Sequence, residues 1–150
     1  MKHHLVILKK PYLDLILSGR KTIELRLSKG RQPAFGRVCP HDRLFLKLSA
    51  GSVCGAAAVA HVECYEDLTP QGIVQIKQRY NAEIMASDAV WESVMDRRYG
   101  FLVWLRDVRR IPPIRIDKKD WRAWVVLTPG EDFGLLDKAG LWDNADACRP

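Results

Sequence analysis

The period of apolar and polar positions changes repeatedly along the chain, and each change marks an element. Residues 22–27 alternate strictly: Ile23, Leu25 and Leu27 fall on one face and Thr22, Glu24 and Arg26 on the other. This is the period of a half-buried strand. Residues 3–8 read as a first strand. Residues 44–48 and 53–64 read as two more, joined by the turn Ser49-Ala50-Gly51-Ser52. Residues 101–111 and 121–127 return to strand, separated by Pro112-Pro113 and a charged loop. Helical spacing appears over residues 11–18, where Leu13, Ile16 and Leu17 form a buried side with Tyr12 and Leu15 at its edges. Pro11 starts that helix and Gly19 stops it. Ile73, Ile76, Tyr80 and Ile84 predict a second helix over 70–84 with Thr69 as N-cap. A third is expected over 88–97, burying Val90, Trp91 and Val94, and residues 29–41, basic and rich in Gly and Pro, are expected to form a loop.

A chain of 150 residues fits one domain, and 47% hydrophobic with 28% charged residues is a globular balance. The first apolar run, Leu5-Val6-Ile7-Leu8, is far shorter than a membrane span, and Lys9-Lys10-Pro11 interrupts it where a secretory signal would continue. A cytoplasmic protein with no membrane partner is expected. Cys39, Cys54, Cys64 and Cys148 form no C-x-x-C pair and have no His pair at ligand spacing, so neither a metal nor another cofactor is indicated. The net charge of +6 is unevenly placed: residues 1–50 hold 11 Lys and Arg against 3 Asp and Glu. A local positive field of this kind attracts phosphate. No G-x-G-x-x-G or P-loop occurs, and no nucleophile motif accompanies His41 or His61.

The densest chemistry lies at Ser18-Gly19-Arg20-Lys21-Thr22-Ile23-Glu24-Leu25-Arg26, where the first helix turns into the alternating strand. Gly19 frees the backbone for a sharp reversal. Thr22, Glu24 and Arg26 are expected to point together from the non-core face, and Lys21 to swing toward the same cleft. Arg26 offers a planar fork for phosphate or guanine, Lys21 a movable point charge, and Glu24 an acceptor that orients Arg26 or takes an exocyclic amino hydrogen. The plain alternative is a solvated ion pair on a strand surface, which contributes little.

Residues 10–26, from Lys10-Pro11-Tyr12 to Glu24-Leu25-Arg26, resemble the start of an ASCH domain, whose signature is G-x-K-x-x-E-x-R; Gly19, Lys21, Glu24 and Arg26 match it. The resemblance extends to His41-Asp42-Arg43-Leu44, where His41 replaces the usual Gly, and on through about residue 127. It implies an α+β fold, a PUA-like mixed β-barrel with surrounding helices over residues 1–127. Residues 128–150 would form an acidic C-terminal tail, either packed through Leu135, Leu136 and Leu141 or mobile. It also implies a cleft, floored by the motif, that holds RNA, another single-stranded nucleic acid or a modified nucleoside.

The expected ligand-binding residues are Tyr12, Gly19, Lys21, Thr22, Glu24, Arg26 and Arg37, with Tyr12 placed to stack a base and Arg31, Arg37 and Arg43 to steer phosphates. Of Trp104, Trp121 and Trp124, Trp121 is expected to be the most exposed. Some ASCH-like proteins are amidohydrolases on acetylated cytidine, using a Lys, a Thr three positions later and a distant Glu, and others have been linked to ribonuclease activity. Lys21 matches that Lys, Glu24 stands where the Thr would be, and Glu63, Glu83 or Glu92 would have to supply the third group. Lys21 and Glu24 are therefore the catalytic candidates if there is a reaction, with Lys21 expected to keep its proton among carboxylates. A non-catalytic domain that recognises a protein partner is the third reading, and it would present an exposed apolar patch.

Overall fold

The computed structural model describes residues 1–139. The elements run β1 (His3–Leu8), α1 (Lys10–Leu17), β2 (Ile23–Ser28), β3 (Arg43–Leu48), β4 (Val53–Tyr65), α2 (Pro70–Ile84), α3 (Asp88–Ser93), β5 (Tyr99–Ile114) and β6 (Trp124–Val126). A 3-10 turn, Asp132–Gly134, leads into a helical turn over 135–139. The strands form one six-stranded sheet in the order β2-β5-β4-β3-β1-β6, with β1 and β3 parallel and every other pair antiparallel. The expected mixed barrel with helices around it is what forms. Its sheet curls so that β2 comes round toward the β1–β6 edge, and Arg26 reaches the end of β1 by donating from Nη2 to the Ile7 carbonyl at 2.9 Å.

Register explains the layers. Glu24 lies opposite Val103 and Arg26 opposite Phe101, so the polar face of β2 shares the concave interior with Val6, Leu44, Leu46, Val59 and Val103. Leu13 and Ile16 of α1 plug one end of that interior. Ile23, with Leu25 and Leu27 beside it, points outward and is covered by Ile73, Ile76 and Ile84 of α2 and by Trp91. Both faces of β2 are thus occupied, which is why its polar residues are not solvated as on an ordinary outer strand. On the opposite outer face, Leu135 and Ala139 pack against Leu5, Phe45, Val125 and Leu127. The acidic segment is therefore packed at least through residue 139; Leu141 and Cys148 lie outside the described residues.

Three boundaries differ most from the sequence expectation. The strand β5 runs through Pro112 and Pro113 to Ile114. This is tolerated because β2 pairs only with residues 99–104 of β5, leaving the later stretch with a free edge where no ladder donor is needed. The helix α3 stops at Ser93 rather than Arg97, and β6 begins at Trp124, leaving Trp121 in the preceding loop. No described helix is long and apolar enough to cross a membrane.

The turn before β3 accounts for the residue that departs from the family pattern. His41 has φ +73°, in the left-handed region that favours glycine, while its N–H donates to Val59 O at 2.8 Å. A β-carbon there costs on the order of 1–2 kcal/mol. His41→Gly is expected to stabilise the protein by about 0.5–1 kcal/mol, after the larger entropy of the unfolded glycine and the loss of an exposed contact to Arg106. Urea unfolding checks this; a destabilised variant would show that the histidine side chain outweighs the strain.

Candidate functional site

The helix α1 ends as expected. Gly19 adopts φ +80°, and the N–H groups of Arg20 and Lys21 both donate to Leu15 O at 3.0 Å. This reversal throws Lys21 beneath α2 just before β2 begins. The Lys21 ammonium donates to Ile23 O at 2.9 Å and Ile84 O at 2.5 Å, and lies 3.4 Å from Glu24 Oε1. Ile84 is the last residue of α2, where helix carbonyls lack intrahelical partners, so a cation here caps the negative end of the helix. With 3% of its surface exposed and its three N–H groups engaged, Lys21 is a fixed strut and not a movable charge.

Glu24, 8% exposed, is the hub. Its Oε2 accepts from Arg26 Nη2 at 2.9 Å, and its Oε1 faces Lys21 and accepts the Leu25 N–H at 3.2 Å. Burial alone would push its carboxyl up, but the flanking Arg26 and Lys21 cations outweigh burial and hold it below its ordinary 4.5. For Lys21 the balance falls the other way. Burial lowers its ammonium below 10.5, and the neighbouring Glu24 opposes that shift. Arg26 also reaches toward Ala123 O at 3.4 Å, and its guanidinium lies 5.4 Å from the Trp124 ring centroid. Its Nε is a buried donor with no partner among the described residues.

These groups floor a cleft of about 760 Å³. One wall is the end of α2 with α3; the other is the end of β1, Tyr12 and the turn at Ser49, with residues 118–123 across the mouth. Tyr12 is half-buried, its ring 5.6 Å from Lys21 Nζ. Lys9, Lys21, Arg26, Lys47, Lys118 and Arg122 line the cleft against only Glu24 and Asp120. Lys47, 8% exposed, is held below the ordinary lysine range by burial and then by Lys118. Asp120 is held low by hydrogen bonds from Arg122 and Lys118. Trp121, at 99% exposure, stands bare at the rim.

The sequence candidates separate accordingly. Tyr12, Lys21, Glu24 and Arg26 come together in the cleft. Gly19 shapes the turn behind it. Thr22 is exposed and outside the lining; its backbone N–H donates to Glu83 O and its carbonyl accepts from Leu105 N. Arg37 lines a second hollow, of about 400 Å³, that adjoins the first. Arg31 pairs with Glu66, and Arg43 lies in a third hollow with His41. Glu63, Glu83 and Glu92 all lie outside the cleft lining, and Glu63 is held by Tyr65, Tyr80 and His61. His41 and His61, which the sequence leaves without partners, contact Arg106 and Glu63. Among the described residues no cluster of His, Cys, Asp or Glu has metal-site geometry.

One network behind the site is absent from the sequence reading. Trp124 Nε1 donates to His4 Nδ1 at 3.1 Å, and His4 Nε2 meets Asp42 Oδ2 at 2.8 Å. Indole nitrogen can only donate, so Nδ1 is the acceptor and Nε2 carries the proton that goes to Asp42. His4 is fully buried, and burial lowers its pKa below 6.5 although Asp42 opposes this. Asp42 also accepts the Lys2 N–H at 2.8 Å and the Cys39 N–H at 3.0 Å. The network holds the Trp124 ring against which Arg26 rests. An Asp following a left-handed turn residue was the local signal for it.

No curated protein matches the chain. Among solved structures it resembles ASCH from Zymomonas mobilis, with 19% identity and a TM-score of 0.67 over 85% of this chain and 88% of that one. A tyrosine-to-phenylalanine variant of that protein aligns over 94% of this chain and 99% of its own, at 18% identity and a TM-score of 0.71. At these identities the likeness concerns the fold. The sequence profile of the ASCH domain matches residues 6–124, from β1 through the first residue of β6 and including all four motif positions. The chain belongs to the ASCH domain family.

Proposed function

We propose that the protein binds RNA, or a nucleotide-like piece of it such as a modified nucleoside, in the cleft floored by Glu24 and Arg26. The observation that carries this reading is the lining itself: six cationic side chains against two carboxylates, with Trp121 bare at the rim. Positive charge attracts the phosphate backbone, and an exposed indole gives a base a face to stack on. Arg26 and Tyr12 contact the ligand. Lys21 acts through Glu24, holding the carboxylate that aims the Arg26 fork. The hydrolase readings have less support, because the lining holds no Ser, Thr, Cys or His nucleophile or base except Ser49 and Ser93, and none of the three candidate glutamates.

Trp121 gives a clean test, because removing an exposed loop side chain changes stability by no more than about 0.5 kcal/mol. Trp121→Ala is expected to leave the melting temperature unchanged. Its affinity for short single-stranded RNA should fall by about five-fold to a hundred-fold, the range for one lost stacking platform. Unchanged affinity, measured by fluorescence anisotropy, would remove the rim from the site.

A further inference from the structure

The motif cleft and the second hollow are two chambers of one seam. They meet between β2 and residues 122–123, just before β6, and share Arg26, Leu27, Arg122 and Ala123 in their linings. No ladder joins β2 to β6; Arg26 stands across the gap as a partition, held by Ile7 O and Glu24. The two chambers differ in chemistry. The second, about 400 Å³, is walled by Phe35, Phe101 and Trp124 and carries Arg26, Arg37 and Arg122 with no carboxylate in its lining. That volume is at the small end of ligand pockets, which span roughly 300–1,000 Å³. Gln32 adds an amide that both donates and accepts, as the edge of a base requires.

We propose that the seam is a slot for a single-stranded dinucleotide step: one base enters the aromatic chamber, its neighbour occupies the motif cleft, and the linking phosphate passes beside Arg122. This rests on the functional reading above and narrows it from a free nucleoside to an oligonucleotide. Arg122 lines both chambers, its side chain is 50% exposed, and Asp120, itself in the lining of the motif cleft, holds it with Oδ2 at 2.9 Å from Nη2. It is one of the two cations at the junction of the chambers, and the other, Arg26, is held by Ile7 O and Glu24. A ligand confined to the motif cleft would leave Arg37 and the aromatic walls of Phe35 and Phe101 unused.

The test is a calorimetric titration of the full chain with uridine monophosphate, the dinucleotide UpU and the tetranucleotide UpUpUpU, with a deoxy series in parallel. Affinity is expected to rise at least tenfold from one nucleotide to two and by much less from two to four. Arg122→Gln is expected to collapse the ratio of dinucleotide to mononucleotide affinity toward one, with an unchanged melting temperature. The deoxy series identifies which sugar the slot accepts, and the same step at two nucleotides is required of whichever series binds. Equal affinity for UMP and UpU, with UMP binding still sensitive to Arg26→Lys, would overturn the slot and leave the single-cleft reading standing. No binding by any of these would overturn both.

Discussion

Glu24→Ala is expected to destabilise the protein by about 3–5 kcal/mol, the range found when one partner of a buried ion pair is removed. The carboxylate is the acceptor shared by Lys21 and Arg26, at 3.4 Å and 2.9 Å, and without it two cations stand uncompensated beneath the cleft. For a domain of this size the melting temperature should fall by on the order of 10 °C. The double variant Lys21→Met with Glu24→Leu should recover only the part of that loss that comes from Lys21, because Arg26 still stands without its carboxylate. Since Glu24 sits below its ordinary 4.5 in the folded protein, its contribution is complete above that pH and is lost as the pH falls through the lower folded value. Urea unfolding at pH 7 measures the first effect; a loss below 1 kcal/mol would mean that water already screens the cluster.

Asp42→Ala should cost about 3 kcal/mol or more, because it strands three donors at once, the Lys2 and Cys39 N–H groups and the His4 imidazole, each unsatisfied group costing about 1–3 kcal/mol. The same network sets a pH response. His4 has its folded pKa below 6.5, so the unfolded chain takes up a proton first as the pH drops. Stability is therefore full above 6.5 and declines on acidification until the folded value is reached, by at most about 1.4 kcal/mol per pH unit. His4→Gln keeps a donor toward Asp42 and an acceptor toward Trp124 without a titrating group, and should flatten that decline. An unchanged slope between pH 6.5 and 5 would assign the acid sensitivity elsewhere.

Much of this was legible in the sequence where the signals were local. The alternation from Ile23 to Leu27 divides β2 correctly between two faces, although the polar one turns into the concave interior and not away from a core; Gly19 marks the reversal, and the motif brings Glu24 and Arg26 together. Lys21 shows where local reasoning ends. Its parity put it with the core residues, and its charge argued for the cleft; it lines the cleft, yet its ammonium is spent on a helix carbonyl 63 residues away. Partners at such separations leave no mark on neighbouring residues. The same holds for His4 with Asp42, 38 residues apart, and with Trp124, 120 apart. Arg26 looked like a ligand-binding fork and also closes the barrel, because the carbonyls of Ile7 and Ala123 come to it only after the sheet has curled. Thr22 was misplaced for a simpler reason: it precedes the first β2 residue, so the strand's alternation does not extend to it.

Arg26→Lys is the sharpest test of whether Arg26, aimed by Glu24, contacts a nucleic-acid ligand. Lysine keeps a charge beside Glu24 and Trp124 but loses the planar fork. The measurement is a titration of wild type and this variant with short single-stranded RNA and a panel of modified nucleosides at two salt concentrations, with product formation followed in the same samples. Salt-sensitive binding without turnover is expected, weakened at least several-fold in a variant that remains folded. Equal affinity in the two proteins would contradict it.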